Sequence, residues 1–212
     1  MKSLSYTISV YQEIKEISTL LPILHNHKQN IDEIVIVQTF KNEEDKTSEL
    51  FNSIKNICQK YGDIYQVFHF QNSFSKLKNY LIELATKDYI INIDADELIS
   101  TETMNLWLKI IQSQNHDLYY IPRINTVKGY TIEDIKEYEW IINQNGWILW
   151  PDYQPRIFEN NQLIKWSGNV HESPMGFKNH YVMPASPKLA LLHHKNIEKQ
   201  RHQNNLYKTI DR

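Results

Sequence analysis

The stretch Asp88-Tyr89-Ile90-Ile91-Asn92-Ile93-Asp94-Ala95-Asp96-Glu97 decides the fold. Residues 88–93 form a short apolar, β-prone run that reads as a buried strand, and the run ends abruptly in a group of carboxylates. Upstream, residues 74–86 read as a helix with Leu77, Leu81, Leu84 and Ala85 inward, and residues 64–70 as a strand. Residues 45–60 form an amphipathic helix through Leu50, Ile54 and Ile57, stopped near Gly62. Residues 33–38 are another buried strand, and residues 4–10 alternate as a first one. Between these two lies a helical face of Ile14, Ile17, Leu20, Leu21 and Leu24. Pro22 would break its middle, unless Ser18 is the N-cap and Pro22 falls in the first turn.

The order over the first 95 residues is therefore β-α-β-α-β-α-β, an α/β pattern that implies a mostly parallel central sheet flanked by helices. Ligands bind such sheets at the carboxyl ends of the strands, where Asp94, Asp96 and Glu97 stand. The second half is less regular. Helices are expected at 101–113, 131–144 and 196–210, the second opened by a Thr131–Asp134 capping box. Strands are expected at 117–127, 153–158, 163–167 and 188–193, with 153–158 and 163–167 paired as a hairpin around Asn160-Asn161. Residues 128–152, rich in Trp and Tyr, read as a lid.

Composition excludes several classes. The 212 residues fit one domain or two small lobes. A net charge of −2 argues against a nucleic-acid protein held by bulk charge. One cysteine, Cys58, forbids an internal disulfide framework and a thiolate zinc site, and suits a reducing compartment such as the cytoplasm. No run reaches the roughly 18–20 apolar residues of a membrane span, and residues 1–7 lack a signal-peptide core. With 5 glycines, no Gly-rich phosphate loop is present, so a nucleotide would have to be held another way.

Four constellations carry potential chemistry. Asp94, Asp96 and Glu97 repel one another and could share Mg²⁺ or Mn²⁺; they could equally be a solvated acidic turn capping the helix near Thr101. His171-Glu172 could supply a general base or be a structural histidine beside a surface charge. His193-His194 ends an apolar run, and strand alternation lets one of the two face a site, where an imidazole favours Mn²⁺. Lys76, Lys78, Arg123 and Arg156 could hold a diphosphate or be surface charges. Cys58 is expected in the core.

Three segments, Phe74-Ser75-Lys76-Leu77-Lys78-Asn79, Ala85-Thr86-Lys87-Asp88-Tyr89 and Ile93-Asp94-Ala95-Asp96-Glu97, resemble the core of family 2 glycosyltransferases with the GT-A fold, in their lipopolysaccharide-core-type branch. There the pattern is Phe-Ser-x-x-Arg-Asn, a helix, Ala-x-x-Asp-aromatic, then a strand and Asp-Ala-Asp-Glu. Asn79 matches; Lys78 stands where the branch has Arg, which keeps charge but loses a bidentate fork. Pro151-Asp152-Tyr153-Gln154-Pro155-Arg156-Ile157-Phe158 and Trp166-Ser167-Gly168-Asn169-Val170-His171-Glu172 resemble the acceptor side of the same enzymes. After the second strand many members carry Asp-x-Gly-Ser; this chain has Gln38-Thr39-Phe40-Lys41-Asn42, so Thr39 or Gln38 would replace the base-reading Asp. The compact length and abrupt end at Asp211-Arg212 also resemble a GT-A domain of a larger chlorella-virus glycosyltransferase, which would work in the host cytoplasm.

The resemblance implies a single domain over 1–212, with a nucleotide-sugar half at 1–100 and an acceptor half at 101–212. It implies a metal-dependent inverting transferase that takes a nucleotide-diphospho-sugar, most often UDP-linked, and a glycan acceptor. Asp94, Asp96 and His194 would serve the metal. Tyr11, Gln12, Glu13, Thr39, Lys76, Lys78, Asn79, Asp94, Ala95 and Arg156 would serve the donor. Glu172 would be the base with Asp152 as runner-up, and Trp150, Tyr153 and Trp166 would stack on acceptor sugar. Three rivals share parts of this logic. A HAD-type phosphatase also uses Asp-x-Asp, but on its first strand. A nucleotidyltransferase carries a Gly-rich loop after the first strand, where this chain has Tyr11-Gln12-Glu13-Ile14. A non-catalytic carbohydrate-binding domain would not need the intact acidic cluster and His-Glu pair.

Overall fold

The computed structural model describes residues 1–169 and 172–210. Strands β1 (Leu4–Val10), β2 (Glu33–Phe40), β3 (Ile64–His69) and β4 (Tyr89–Asp94) alternate with helices α1 (Ile14–His27), α2 (Glu49–Tyr61) and α3 (Phe74–Leu84). The four strands run parallel in the order β3-β2-β1-β4, as helical crossovers require. The chain continues through β5 (Glu97–Leu98), α4 (Thr101–Ser113), β6 (Leu118–Lys128), α5 (Ile132–Glu137), β7 (Ile148–Glu159), β8 (Lys165–Ser167), β9 (Ser173–Met175), β10 (His180–Val182), β11 (Leu191–Asn196) and α6 (Ile197–Ile210). Strand β7 inserts antiparallel between β4 and β6, and β11 lies parallel beside β6. Among the described residues, strands of both halves make one nine-stranded sheet, with β8 and β9 a separate ribbon.

Strand alternation sorts the core into two faces. Tyr6, Ile8, Ile34, Ile36, Ile91 and Ile93 pack on α1, α2 and α4 through residues such as Leu20, Leu21, Ile54 and Trp107. Val35 and Val37 point the other way, onto Leu77 and Leu81 of α3. Cys58 is buried, as expected, and its thiol is pushed up to about 12 by that burial. At Gly62, which ends α2, a Cβ would stand 2.9 Å from both Cys58 O and Ile36 Cδ1, so the α2–β2 packing requires glycine there.

Several expected boundaries move. Helix α1 starts at Ile14, not after Ser18, and Pro22 lies inside it. The Glu13 carboxylate accepts the N–H groups of Tyr11 and Gln12 at 2.8 and 3.0 Å, which fixes the turn into the helix. The Ser18 hydroxyl instead donates to Ile14 O at 2.6 Å. The fully buried Leu20, Leu21 and Leu24 face carries the helix past the missing N–H of Pro22. Helix α2 begins after Ser48, whose hydroxyl caps Phe51 N, because Glu43–Thr47 form a 3-10 turn. The 131–144 helix shrinks to Ile132–Glu137. Its capping box forms, but Glu139 adopts a φ of 51°, and Asn143 Oδ1 takes the N–H groups of Asn145 and Trp147.

The hairpin at Asn160-Asn161 does not form. Strand β7 pairs with β4 and β6, setting Ile157 and Phe158 opposite Ile91 and Ile90, while β8 pairs with β9. The asparagines do make a turn: Asn160 Nδ2 donates to Ala85 O and Lys87 O, and Asn161 Oδ1 accepts from Leu163 N and Ile164 N. Strand β11 starts at Leu191, after a Pro187–Leu189 3-10 turn, and β5 was not expected. The 128–152 segment folds on its own apolar cluster, with Tyr138, Trp140 and Ile142 against Val127, Ile148 and Ile197. Among the described residues no helix is long and apolar enough to cross a membrane.

Candidate active site

A cleft of about 990 Å³ opens at the carboxyl ends of β1, β2 and β4 and runs across β6, β7 and β11. Its polar floor follows from strand alternation. Arg123 and Asn125 of β6, Asp152, Gln154 and Arg156 of β7, and His193 and Lys195 of β11 all line it. Asp94 closes β4, and Asp96 lies in the tight turn between β4 and β5.

The two aspartates have different partners. Asp94 Oδ2 meets Arg156 Nη2 at 2.5 Å, and its backbone N–H donates to Glu97 Oε2 at 3.0 Å. Burial pushes the Asp94 carboxyl up, but Arg156 and Lys78 outweigh it and hold it well below the usual range. Asp96 Oδ2 lies 3.5 Å from His193 Nε2, 3.4 Å from Lys199 Nζ and 3.8 Å from Lys195 Nζ. Burial opposes its charge too, and His193 and the two lysines overcome that. Lys195, itself buried, is pulled down by that burial despite Asp96.

Asn125 fixes the imidazole. Its amide N–H donates to Asp152 Oδ2 at 2.8 Å, so its Oδ1 is left to accept from His193 Nδ1–H at 2.8 Å. With Nδ1 engaged by Asn125, the ring presents Nε2 toward Asp96, the orientation of a metal-binding histidine with an outer partner. Two ligands at adjacent corners of an octahedral ion stand about 3 Å apart, so Asp96 and His193 fit one divalent cation. Among the described residues no group of three or more His, Cys, Asp or Glu converges on a metal position. Any further ligands would come from donor or water.

On β7, Asp152 accepts from Arg123 Nε and Nη2 at 2.9 and 2.7 Å, from Asn125, and from Gln154 at 2.8 Å. Burial raises its pKa, and Arg123 with these amides more than reverses that. Glu172 Oε1 pairs with Lys78 Nζ at 2.5 Å, and the same ammonium sits 4.2 Å above the Trp166 ring. Asn79 braces this wall: it donates to Trp166 O at 2.9 Å and accepts from Trp166 N at 2.8 Å.

The cleft gathers most of the expected residues: Tyr11, Gln12, Glu13, Thr39, Lys78, Asp94, Ala95, Asp96, Asp152, Arg156, Trp166 and Glu172. It leaves out six. Lys76 is exposed outside it, and Asn79 serves as the brace just described. His194 lies on the opposite side of β11, where its Nδ1 pairs with Thr126 Oγ1 at 2.5 Å. Alternation admits one histidine of the pair, and it is His193. Gln38 is spent in the core, donating to Phe51 O and accepting from Tyr65 OH. Trp150 packs on Trp147, and Tyr153 OH donates to Met183 O, so neither reaches the cleft. Val170 and His171 lie outside the described residues. Sequence reasoning missed Asn125, Gln154, Lys195, Lys199 and Tyr207. The first three were readable from alternation with Arg123, Arg156 and His193. The α6 residues carried no signal.

This architecture, a parallel sheet with an acidic pair after its fourth strand and an antiparallel insertion beside it, is the GT-A type of glycosyltransferase fold. The chain belongs to glycosyl transferase family 2, whose family model matches residues 5–177. It is 27% identical over 174 residues to the SPbeta prophage-derived glycosyltransferase SunS of Bacillus subtilis (strain 168), covering 80% of this chain and 34% of SunS. This chain thus spans about a third of the length of that relative. Residues 1–349 of S. aureus TarS superpose with a TM-score of 0.59 at 16% identity, over 99% of this chain and 64% of that one. The same fragment with UDP-GlcNAc gives 0.58 at 18% identity, over 92% and 59%. The mannosyltransferase PcManGT from Pyrobaculum calidifontis, with GDP-Man and Mn²⁺, gives 0.56 at 12%, over 90% and 56%. At these identities the likeness is one of fold.

Proposed function

We propose that this chain is a metal-dependent inverting glycosyltransferase domain that moves a sugar from a nucleotide-diphospho-sugar to a hydroxyl of a glycan acceptor. The observation that carries this is the meeting, in one cleft, of Asp94 and Asp96 with His193 on one part and Glu172 and Asp152 on another. UDP is the nucleotide we assign, with support from the UDP-GlcNAc complex of a structural neighbour. We read residues 1–100 as the donor half and 101–212 as the acceptor half of one domain. The lone buried thiol, Cys58, favours the cytoplasm as its setting.

Tyr11, Gln12, Glu13 and Thr39 would wall the nucleobase pocket, and Asp94, held by Arg156, would face the ribose or the hydrated ion. Asp96 and His193 would hold Mn²⁺ or Mg²⁺. When bound, the ion supplies Lewis-acid stabilisation of the departing diphosphate. Lys195 and Lys199, which now neutralise Asp96, would then be left for phosphate oxygens. Glu172, oriented by Lys78, takes the acceptor hydroxyl's proton. The oxygen attacks the anomeric carbon from the face opposite the diphosphate, and the carbon–phosphate-oxygen bond breaks with its electron pair leaving on the diphosphate. Asp152 is the weaker base, because Arg123, Asn125 and Gln154 engage both its oxygens.

Thermal unfolding with UDP, GDP, dTDP or ADP, each with Mn²⁺ or with EDTA, tests this. The expected result is a shift with UDP and Mn²⁺ that EDTA abolishes, worth about 2.7 kcal/mol at a hundredfold excess over Kd. No shift with any diphosphate would overturn the reading. A shift with a free sugar alone would leave a carbohydrate-binding domain.

A further inference from the structure

The donor-side and acceptor-side carboxylates, both half-buried, are joined by one unbroken chain of charges whose centre is buried. Asp94 Oδ2 meets Arg156 Nη2 at 2.5 Å, and the same Nη2 meets Glu97 Oε1 at 2.6 Å. Glu97 Oε1 meets Arg123 Nη1 at 3.0 Å, and Arg123 Nη2 reaches Asp152 Oδ2 at 2.7 Å. The signs alternate at every step. Glu97, at the centre, is 0% exposed and Arg156 is 3% exposed. Glu97 also accepts the backbone N–H of Asp94 through its other oxygen.

Stability does not account for this arrangement. Replacing buried ion pairs with well-packed apolar groups is often neutral or favourable. Here the network even leaves Arg156 Nε buried without a partner among the described residues. What the chain does supply is geometry. The planar guanidinium of Arg123 holds Glu97 with one nitrogen and Asp152 with two others, so it cannot turn toward one without moving on the other.

We infer that Glu97 is a positioning residue that ties Asp94 to Asp152, so that seating the donor at one carboxylate fixes the acceptor side at the other. This rests on the transferase reading for its purpose, but the linkage itself is a property of the folded chain. Glu97 touches neither substrate; it acts through Arg156 and Arg123.

A double-mutant cycle between Asp94→Asn and Asp152→Asn, repeated in a Glu97→Gln background, tests it. Two readouts run in parallel: thermal unfolding of the ligand-free chain, and release of sugar from UDP-GlcNAc with Mn²⁺. With Glu97 present, the double variant's loss should fall short of the product of the single losses by about tenfold in either readout. With Glu97→Gln, the two losses should simply multiply. The Glu97→Gln variant alone should lower kcat about a hundredfold with donor KM within about threefold. A merely structural Glu97 would move stability but not the interaction between the two carboxylates. Multiplicative losses with Glu97 present, or an interaction that survives Glu97→Gln, would overturn the linkage. If Glu97→Gln does not fold, Arg123→Lys serves in its place, since it keeps the charge and loses the fork. The unfolding cycle needs no substrate, so a chain that releases no sugar sinks the transferase reading while the linkage is still decided.

Discussion

Strands β4 and β7 lie side by side, yet they are built on opposite plans. Strand β4 is apolar apart from Asn92 because both its faces are buried, and its chemistry waits until the chain leaves the sheet at Asp94. Strand β7 carries its chemistry within the sheet: Asp152, Gln154 and Arg156 line the cleft floor, and Ile157 and Phe158 anchor it opposite Ile91 and Ile90. The parallel first half of the chain thus puts polar groups on strand ends, while the second half puts them along strand faces. A side chain at a strand end can be replaced with little damage to the sheet. One on a strand face is coupled to its neighbours by register.

The comparison can be broken most sharply by Glu172→Gln. Transfer should fall by about 10³–10⁴-fold, as expected for loss of a general base, while the UDP–Mn²⁺ unfolding shift persists. If activity survives and Asp152→Asn removes it instead, the base sits on the strand face. Next, Asp96→Ala, in the turn after β4, should lower kcat about 10³-fold and abolish the metal-dependent shift, and ligand-free melting should fall as well because buried Lys195 loses its counter-charge. A third test is Asn79→Ala, which leaves two backbone groups of Trp166 unpaired. It should destabilise the fold by about 1–3 kcal/mol in denaturant titration, and an unchanged midpoint would show that the brace is dispensable.

Acid stability gives a finer distinction. Asp152 is held below its ordinary pKa in the folded state, so the stability it adds is complete above about pH 4, the unfolded value. That stability is lost as pH falls through the lower folded value. Asp152→Asn should therefore weaken the protein at pH 6 and flatten its decline toward pH 3, and a parallel decline would contradict the depressed pKa. The smallest effect belongs to His194→Ala, expected to leave Mn²⁺ affinity within about twofold, whereas His193→Ala should lower it about 10- to 100-fold. The reverse result would restore His194 as the ligand.

The two plans also explain what the sequence disclosed. Strands β2 and β4 were legible because strands buried on both faces read as apolar runs, and β1 because its apolar residues alternate. The position of Asp94 and Asp96 followed directly from that reading. Strand β7 was half-hidden, since polar residues alternating into a cleft resemble those alternating into solvent, and its first five residues were assigned to a lid. Asn160 and Asn161 announced a turn, but the pairing partner depended on distant Ile90 and Ile91, which no local signal reports. His194 in place of His193 was an error of parity: a shift of one residue reverses which side faces in. Lys195 and Lys199 reach Asp96 through the path of the chain into α6, which a linear reading cannot supply.

The burial of Glu97 and Arg156 has a consequence for ionic strength. Mobile ions screen exposed charges over a Debye length of about 8 Å at physiological salt, but they reach buried pairs far less. Lys41 and Lys199, partly open to solvent at the cleft, are within their reach, and the Arg156–Glu97–Arg123 centre of the chain that joins Asp94 to Asp152 is largely shielded. Added salt should thus weaken capture of an anionic donor while leaving the alignment of the two carboxylates, and with it the turnover of donor already bound, nearly untouched.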